Sequence, residues 1–393
     1  MGTTIVLAAA RDKPNLTSLF ETYKVKQDIV KPPNGLLKHP YLVPSGPYFQ
    51  LFDWDAYFMG VALSYDGTSA EPLENSIEDF LEFVGPNASE GGYIPREIAP
   101  DGLWALPEMC KPFLAQAAYR ASLTAMSGEW LRPWYKQLAK TLEFWENTRR
   151  APDGFFLWYN GVESGVDNNP AVSDRPALVT EGVDLQCYIY REYRAMSLLA
   201  GKLGYTEDAK DYTRKADDLR IRVRDGMWSE SEGMFLNIDA RTGKPTHIKT
   251  WTNFVPLWAG IATSGQAKQM IEEHLLNPKE FWAPQGIRTT TPDEPLYDPA
   301  KGYWRGPVWV ISSYLVMHGL MNYGYLDQAR KLAAETEALL RHDLEQTGGM
   351  NECYNPEDGR PLAGGHFVSW DLLGEHMVEE AKEGTDPTAL NPW

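Results

Sequence analysis

Helical periodicity recurs in adjacent pairs along almost the whole chain, and this pattern constrains the fold most. Residues 112–127 and 130–148 form two amphipathic segments joined at Ser127-Gly128. In the second, Trp134, Leu138, Leu142 and Trp145 fall at i, i+4, i+8 and i+11, on one helical face. The pattern returns at 183–203 with 206–228, joined through Gly201 and Gly204, at 250–263 with 265–276, and at 305–323 with 325–344. Earlier pieces cover 15–30 and 55–65 with 73–84, and a last helix is expected over 369–382. About twelve helices result, with no long alternating strand and no Gly-rich phosphate loop. The connections are unequal. Short polar turns alternate with long irregular stretches at 86–108, 150–182, 229–249, 277–304 and 345–368, each following the second helix of a pair. Long loops inside a compact domain are usually functional. Helical hairpins closed into a toroid would gather them at one end, whereas an open helical solenoid would show a self-similar repeat, and none is visible.

Composition narrows the function. The 54 acidic against 37 basic residues leave a net charge of −17, which disfavours nucleic acid and anionic membranes as partners. Neutral sugars are not repelled, and 14 Trp with 20 Tyr suit stacking on pyranose faces, although most of these rings belong in a helical core. Three dispersed Cys and seven His without ligand spacing offer no metal site, and no cofactor is expected. No apolar run approaches the roughly 18 residues needed to span a bilayer. MGTTIVLAAAR lacks the basic start of a signal peptide, so the expectation is cytoplasmic, with export after leader removal as the alternative. Nothing in the sequence fixes an oligomeric state.

The long connections concentrate carboxylates and aromatics. ESGVDNNP places Glu163 and Asp167 in a Pro- and Gly-bracketed loop near Trp158, and GGMNECYNPEDG places Glu352 beside Tyr354. FQLFDWDAYF, 49–58, surrounds Asp53 and Asp55 with rings, and GYWRGPVW sets Arg305 between Trp304 and Gly306. Glycosidic cleavage needs one protonated carboxyl for the leaving oxygen and a second, ionised one for water or the anomeric carbon. Any single acidic residue is more often a helix cap or a solvated loop charge.

ESGVDNNP, YWRGPVW, FDWDAYF and GMNECYNPEDGRP occur in the order seen in glycoside hydrolase family 63. Over roughly 49–372 the chain resembles its short bacterial members, the glucosylglycerate and mannosylglycerate hydrolases, and more distantly the family 37 trehalases. The resemblance implies an all-α (α/α)6 toroid over 15–383, with an extension at 1–14 and a tail at 384–393. It also implies an inverting, exo-acting α-glycosidase releasing glucose or mannose from a small α-glucoside. Asp167 falls on the general acid and Glu352 on the general base. Inversion would set the two carboxyls about 6.5–9.5 Å apart.

The expected sugar-binding set is Phe49, Trp54, Asp55, Lys111, Gln116, Trp158, Glu163, Gly165, Trp304, Arg305, Trp309, Tyr354, His366 and Trp370. Trp54, Trp304 and Trp309 would floor a funnel, with Asp55 and Arg305 on sugar hydroxyls and Arg305 also holding a nearby carboxylate ionised. Trp158 would shield Asp167, and Glu163 has a competing role in holding its loop. Departures from the family pattern are Val166, Asn169 and Lys111, the last standing where Gln is expected. The trehalase QWDxPxGWAP segment is replaced by NFVPLWAG, 253–260, which unsettles the aglycone. Residues 284–304 read as a flap over the site. Two rivals remain: a sugar epimerase or lyase on the same barrel, for which the histidines are too few, and a non-catalytic sugar-binding protein.

Overall fold

A computed structural model describes residues 15–65, 70–84, 91–103 and 107–392. The expected extension at 1–14 lies outside them, as do parts of the 86–108 connection. The fold is mainly helical. In chain order the helices are α1 Leu16–Thr22, α2 Asp53–Leu63, α3 Glu71–Leu81, α4 Leu114–Thr124, α5 Tyr135–Thr148, α6 Gly161–Ser164 and α7 Val183–Leu203. There follow α8 Thr206–Gly226, α9 Val255–Trp258, α10 Ser264–Gln269, α11 Val310–Asn322, α12 Leu326–Thr347 and α13 Met377–Glu383. Among the described residues every strand is two or three residues long, and no helix is long and apolar enough to cross a membrane.

The helices sort into two kinds by the width of their apolar face. Helix α8 buries only Tyr212, Ala216, Leu219 and Val223, a single stripe at i, i+4, i+7 and i+11. Helix α11 buries every residue from Val310 to Leu320, and α2 every residue from Asp53 to Ala62. A helix apolar on all sides has to lie inside. The inner segments follow one another in space: α2 packs on α4, α4 on α7, α7 on α9 and α9 on α11. Next, α11 packs on the 3-10 helix Ser369–Glu375, which packs back on α2. The one-sided helices cover them, α8 lying along α7 and α12 along α11. Each fully buried Leu or Val in these contacts contributes about 1.5–3 kcal/mol. Gly204 ends α7 at φ +86°, a left-handed residue that glycine adopts without steric cost.

Several boundaries differ from the periodicity for local reasons. The 130–148 segment is broken by Pro133 into a 3-10 turn, Glu129–Leu131, and α5. The N-terminal helix stops at Thr22. The helix expected from 305 begins only at Val310, because Val308 exchanges both backbone hydrogen bonds with Tyr354. The expected tail is not loose. Asp386 faces His318 at 3.6 Å, Trp258 Nε1 donates to Thr388 Oγ1 at 2.9 Å, and Arg191 donates to the Thr388 carbonyl. Residues 384–392 thus close over buried polar groups of α7, α9 and α11.

Candidate active site

The cavity opens where the inner helices begin. Trp54 and Asp55 lie in the first turn of α2, Trp309 is the residue before α11, and Trp370 sits on the 3-10 helix. Short pairings bring loops to these helix starts. Leu51–Phe52 pairs with Glu97–Ile98, so Arg96 and Glu97 reach the α2 end. Cys353–Tyr354 pairs with Pro361–Ala363 and with Val308, which carries Glu352 beside Trp309. The cavity has a volume of about 200 Å³, and both Asp167 and Glu352 line it.

Aromatic rings form half of the wall. Trp304 and Trp309 stack at 3.7 Å with 7° between planes, and Trp370 lies edge-on to Trp54 at 5.2 Å. Phe367 and Tyr48 continue the wall from Trp370. The loop that carries Asp167 is shaped by glycine. Gly165 has φ +77°, and a Cβ there would meet Trp54 Cζ2 at 2.9 Å and Lys111 Cε at 3.0 Å. Gly364 has φ +61°, and its Cβ would lie 2.2 Å from Glu352 Cγ.

The carboxyls differ in their surroundings. Burial raises the Asp167 pKa above the ordinary carboxyl range, opposed by the charges of Arg96 and Lys111. Burial also raises Glu352 and the charge of Asp167 pushes it further up, while the Tyr48 hydroxyl, which donates to its carboxylate, and the Tyr303 hydroxyl hold it down. Asp55 is pushed up to about 7, chiefly by burial, and Ser369 Oγ donates to it at 2.6 Å.

Of the residues expected from sequence, Trp54, Asp55, Gly165, Asp167, Trp304, Trp309, Glu352 and Trp370 line this cavity. The rest do not. Phe49 is 42 % exposed on the surface. Gln116 is buried between α4 and α7, accepting from Arg191 Nε at 2.9 Å. Trp158 is buried and donates to Asp184 at 3.0 Å. Glu163 pairs with Arg149 at 3.0 Å and accepts from the Tyr159 amide at 2.8 Å, so it holds the loop. Arg305 pairs with Asp174 at 2.8 Å and supports neither Asp167 nor Glu352 by a direct bond. Tyr354 is buried and donates to Asp343 at 3.0 Å. His366 points into a separate surface depression beside Gly349.

Lys111 lies under the floor. Its ammonium is 2.8 Å from Asp53 and 5.1 Å from the Trp54 ring centre, with both charged side chains 1 % exposed. Removing one member of such a pair strands the other charge in the interior. Lys111→Ala is therefore expected to destabilise the protein by about 3–5 kcal/mol, read from the urea unfolding midpoint at unchanged slope. A loss under about 1 kcal/mol would mean that water reaches Asp53.

Sequence reading missed Pro44, Tyr48, Gln50, Phe52, Arg96, Glu97, Tyr303 and Phe367, all of which line the cavity. Phe52 and Tyr303 sit inside quoted motifs and were open to notice. Tyr48 and Arg96 carry no local signal, because only folding brings them to the carboxyls.

A family model for the mannosylglycerate hydrolase MGH1-like glycoside hydrolase domain matches residues 96–370. The chain belongs to this family. A mannosylglycerate hydrolase from Thermus thermophilus is 30 % identical over 149 residues, covering 37 % of this chain and 33 % of that enzyme. The cytosolic neutral trehalase of Kluyveromyces lactis is 23 % identical over 389 residues, 82 % of this chain and 51 % of the trehalase. The chain thus spans about a third to a half of the length of these curated relatives. A crystal structure of a family 63 mannosylglycerate hydrolase from another Thermus thermophilus strain, in complex with glucose, superposes with a TM-score of 0.69 at 21 % identity. The match covers 93 % of this chain and 100 % of that one, which shows a shared fold.

Proposed function

We propose that this MGH1-like protein is an inverting, exo-acting α-glycosidase built as a single (α/α)6 toroid, with Asp167 as general acid and Glu352 as general base. The cyclic packing order of the inner segments supports the toroid. The observation that carries the mechanism is that both carboxyls face one aromatic-walled cavity of about 200 Å³. That volume falls below the roughly 300–1,000 Å³ of drug-sized sites, which favours one terminal sugar over a chain passing through.

In the reaction Glu352 takes a proton from water as the water oxygen bonds to the anomeric carbon. The bond from that carbon to the aglycone oxygen breaks on the opposite face, and Asp167 gives its proton to the departing oxygen. Stacked Trp304 and Trp309, with Trp54 and Trp370, hold the ring, and Asp55 accepts from a sugar hydroxyl. Glucose in the Thermus structure supports a hexose here, glucose or mannose. Of the charged neighbours, Arg96 bears most on Asp167, which marks the leaving-group side. A small acidic aglycone, as in mannosylglycerate, suits that guanidinium.

A panel of glucosylglycerate, mannosylglycerate, kojibiose, nigerose and trehalose, with the product anomer read by proton NMR, tests this. A β-hexose released first from an α-linked substrate is the expected outcome. Release of the α-anomer would overturn inversion, and binding without turnover across the panel would favour a non-catalytic sugar-binding protein.

A further inference from the structure

Tyr303 is held in an unusual backbone conformation by a residue of the acid loop. Its φ is +58°, a left-handed geometry that bulky side chains rarely adopt. Asn168, next to Asp167, grips the chain on both sides of it. Asn168 Nδ2 donates to the Gly302 carbonyl at 2.9 Å, and the Trp304 amide donates to Asn168 Oδ1 at 3.0 Å. A carbonyl on one side and an N–H on the other fix the orientation of this amide, since the flipped form satisfies neither. Trp309 Nε1 donates to the Tyr303 carbonyl at 3.0 Å, and the two rings meet edge-on at 4.8 Å. The neighbouring turn is tight, because a Cβ on Gly302 would lie 2.3 Å from the Asp298 carbonyl oxygen. The end of the expected flap is therefore bolted to the loop that carries Asp167, and the Tyr303 side chain it presents lines the same cavity as Glu352, where its hydroxyl holds the Glu352 pKa down.

We infer that Asn168 is a positioning residue for the base: by clamping Gly302 and Trp304 it aims the Tyr303 phenol at Glu352, so that the acid loop and the base keep one relative geometry. The role assigned to Glu352 rests on the reading given under Proposed function; the clamp itself does not.

The groups facing Glu352 are Tyr48 and Tyr303, Asp167 across the cavity, and Cys353 and Asp371 behind it. The two phenols stabilise the carboxylate, while burial and Asp167 oppose it. Loss of the Tyr303 hydroxyl therefore raises the Glu352 pKa. Since the base has to be ionised, the acid limb of the kcat/KM profile moves to higher pH.

The test compares wild type, Asn168→Ala, Asn168→Ser, Tyr303→Phe and the Asn168→Ala/Tyr303→Phe pair. Glu352 is titrated directly through the ¹³C carboxyl resonance that disappears in Glu352→Gln, which needs no turnover. Asn168→Ala is expected to move this titration upward in the same sense as Tyr303→Phe, with the double variant no further displaced than Tyr303→Phe alone. On a substrate that wild type cleaves, kcat falls roughly ten-fold with KM within about two-fold. Asn168→Ser, whose shorter hydroxyl can replace at most one of the two bonds, falls between; it carries the test if the alanine variant does not fold. An unmoved Glu352 titration in Asn168→Ala or in Tyr303→Phe, or additive shifts in the pair, overturns the proposal. A structural role alone lowers the Tm and leaves Glu352 where it was. If wild type cleaves nothing, the functional reading fails while the titration still judges the clamp.

Discussion

Replacing Asp167 by Asn is expected to lower kcat by about 10²–10⁴-fold on an α-linked alkyl glycoside, with the far-ultraviolet spectrum and Tm close to wild type. An alkoxide is a poor leaving group and departs only as it is protonated, and Asn168 and Asn169 beside Asp167 have no proton to give. Asp167 is suited to the task because burial keeps its carboxyl protonated above the ordinary range, while Arg96 and Lys111 limit that rise. The loss should depend on the leaving group. With a dinitrophenyl α-glycoside, whose aglycone departs without protonation, Asp167→Asn should recover most of the wild-type rate. Equal losses on both substrates would show that Asp167 shapes the cavity rather than donating a proton. Near-wild-type turnover on the alkyl substrate would remove it from the mechanism.

Glu352→Gln should cost a comparable factor, about 10²–10⁴-fold, but on both classes of substrate, because water needs its base whatever the aglycone. Gln keeps the shape and an acceptor oxygen for Tyr48, and Gly364 leaves room for it as it does for Glu352. The chemical loss should thus come without a structural one. The acid limb of the wild-type kcat/KM profile should lie above the ordinary Glu range, since burial raises Glu352 and its activity is lost as pH falls through that raised pKa. Added azide should restore turnover in Glu352→Ala by attacking the anomeric carbon from the water side, giving a β-glycosyl azide while Asp167 protonates the leaving oxygen. An α-glycosyl azide would contradict the placement of the base opposite the leaving group.

The helices were legible because their signal is local: the apolar stripe on α8 and the largely apolar run of α11, interrupted by Ser312, Ser313 and His318, both read as helix from neighbouring residues alone. The motif loops were legible for a related reason: Asp167, Glu352, Trp304 and Trp309 stand in runs whose Gly, Pro and aromatic content fits neither a helix face nor a random connection. The same argument failed for Arg305, whose charge Asp174 takes, and for Glu163 it was the competing loop-holding role that the pairing with Arg149 matches; no spacing announces a partner supplied from elsewhere. Gln116 and Trp158 likewise serve the buried layer between helices.

What the sequence by itself determined is a mainly helical chain with a few motif runs that carry Asp167, Glu352, Trp54, Trp304 and Trp309. Tertiary structure alone decided which of these side chains share a cavity. Tyr48 reaches Glu352 across 304 positions and Ser369 reaches Asp55 across 314. Contacts of that separation arise only when the last inner segment closes on the first, so the wall of the site is a property of the closure and not of any stretch of chain.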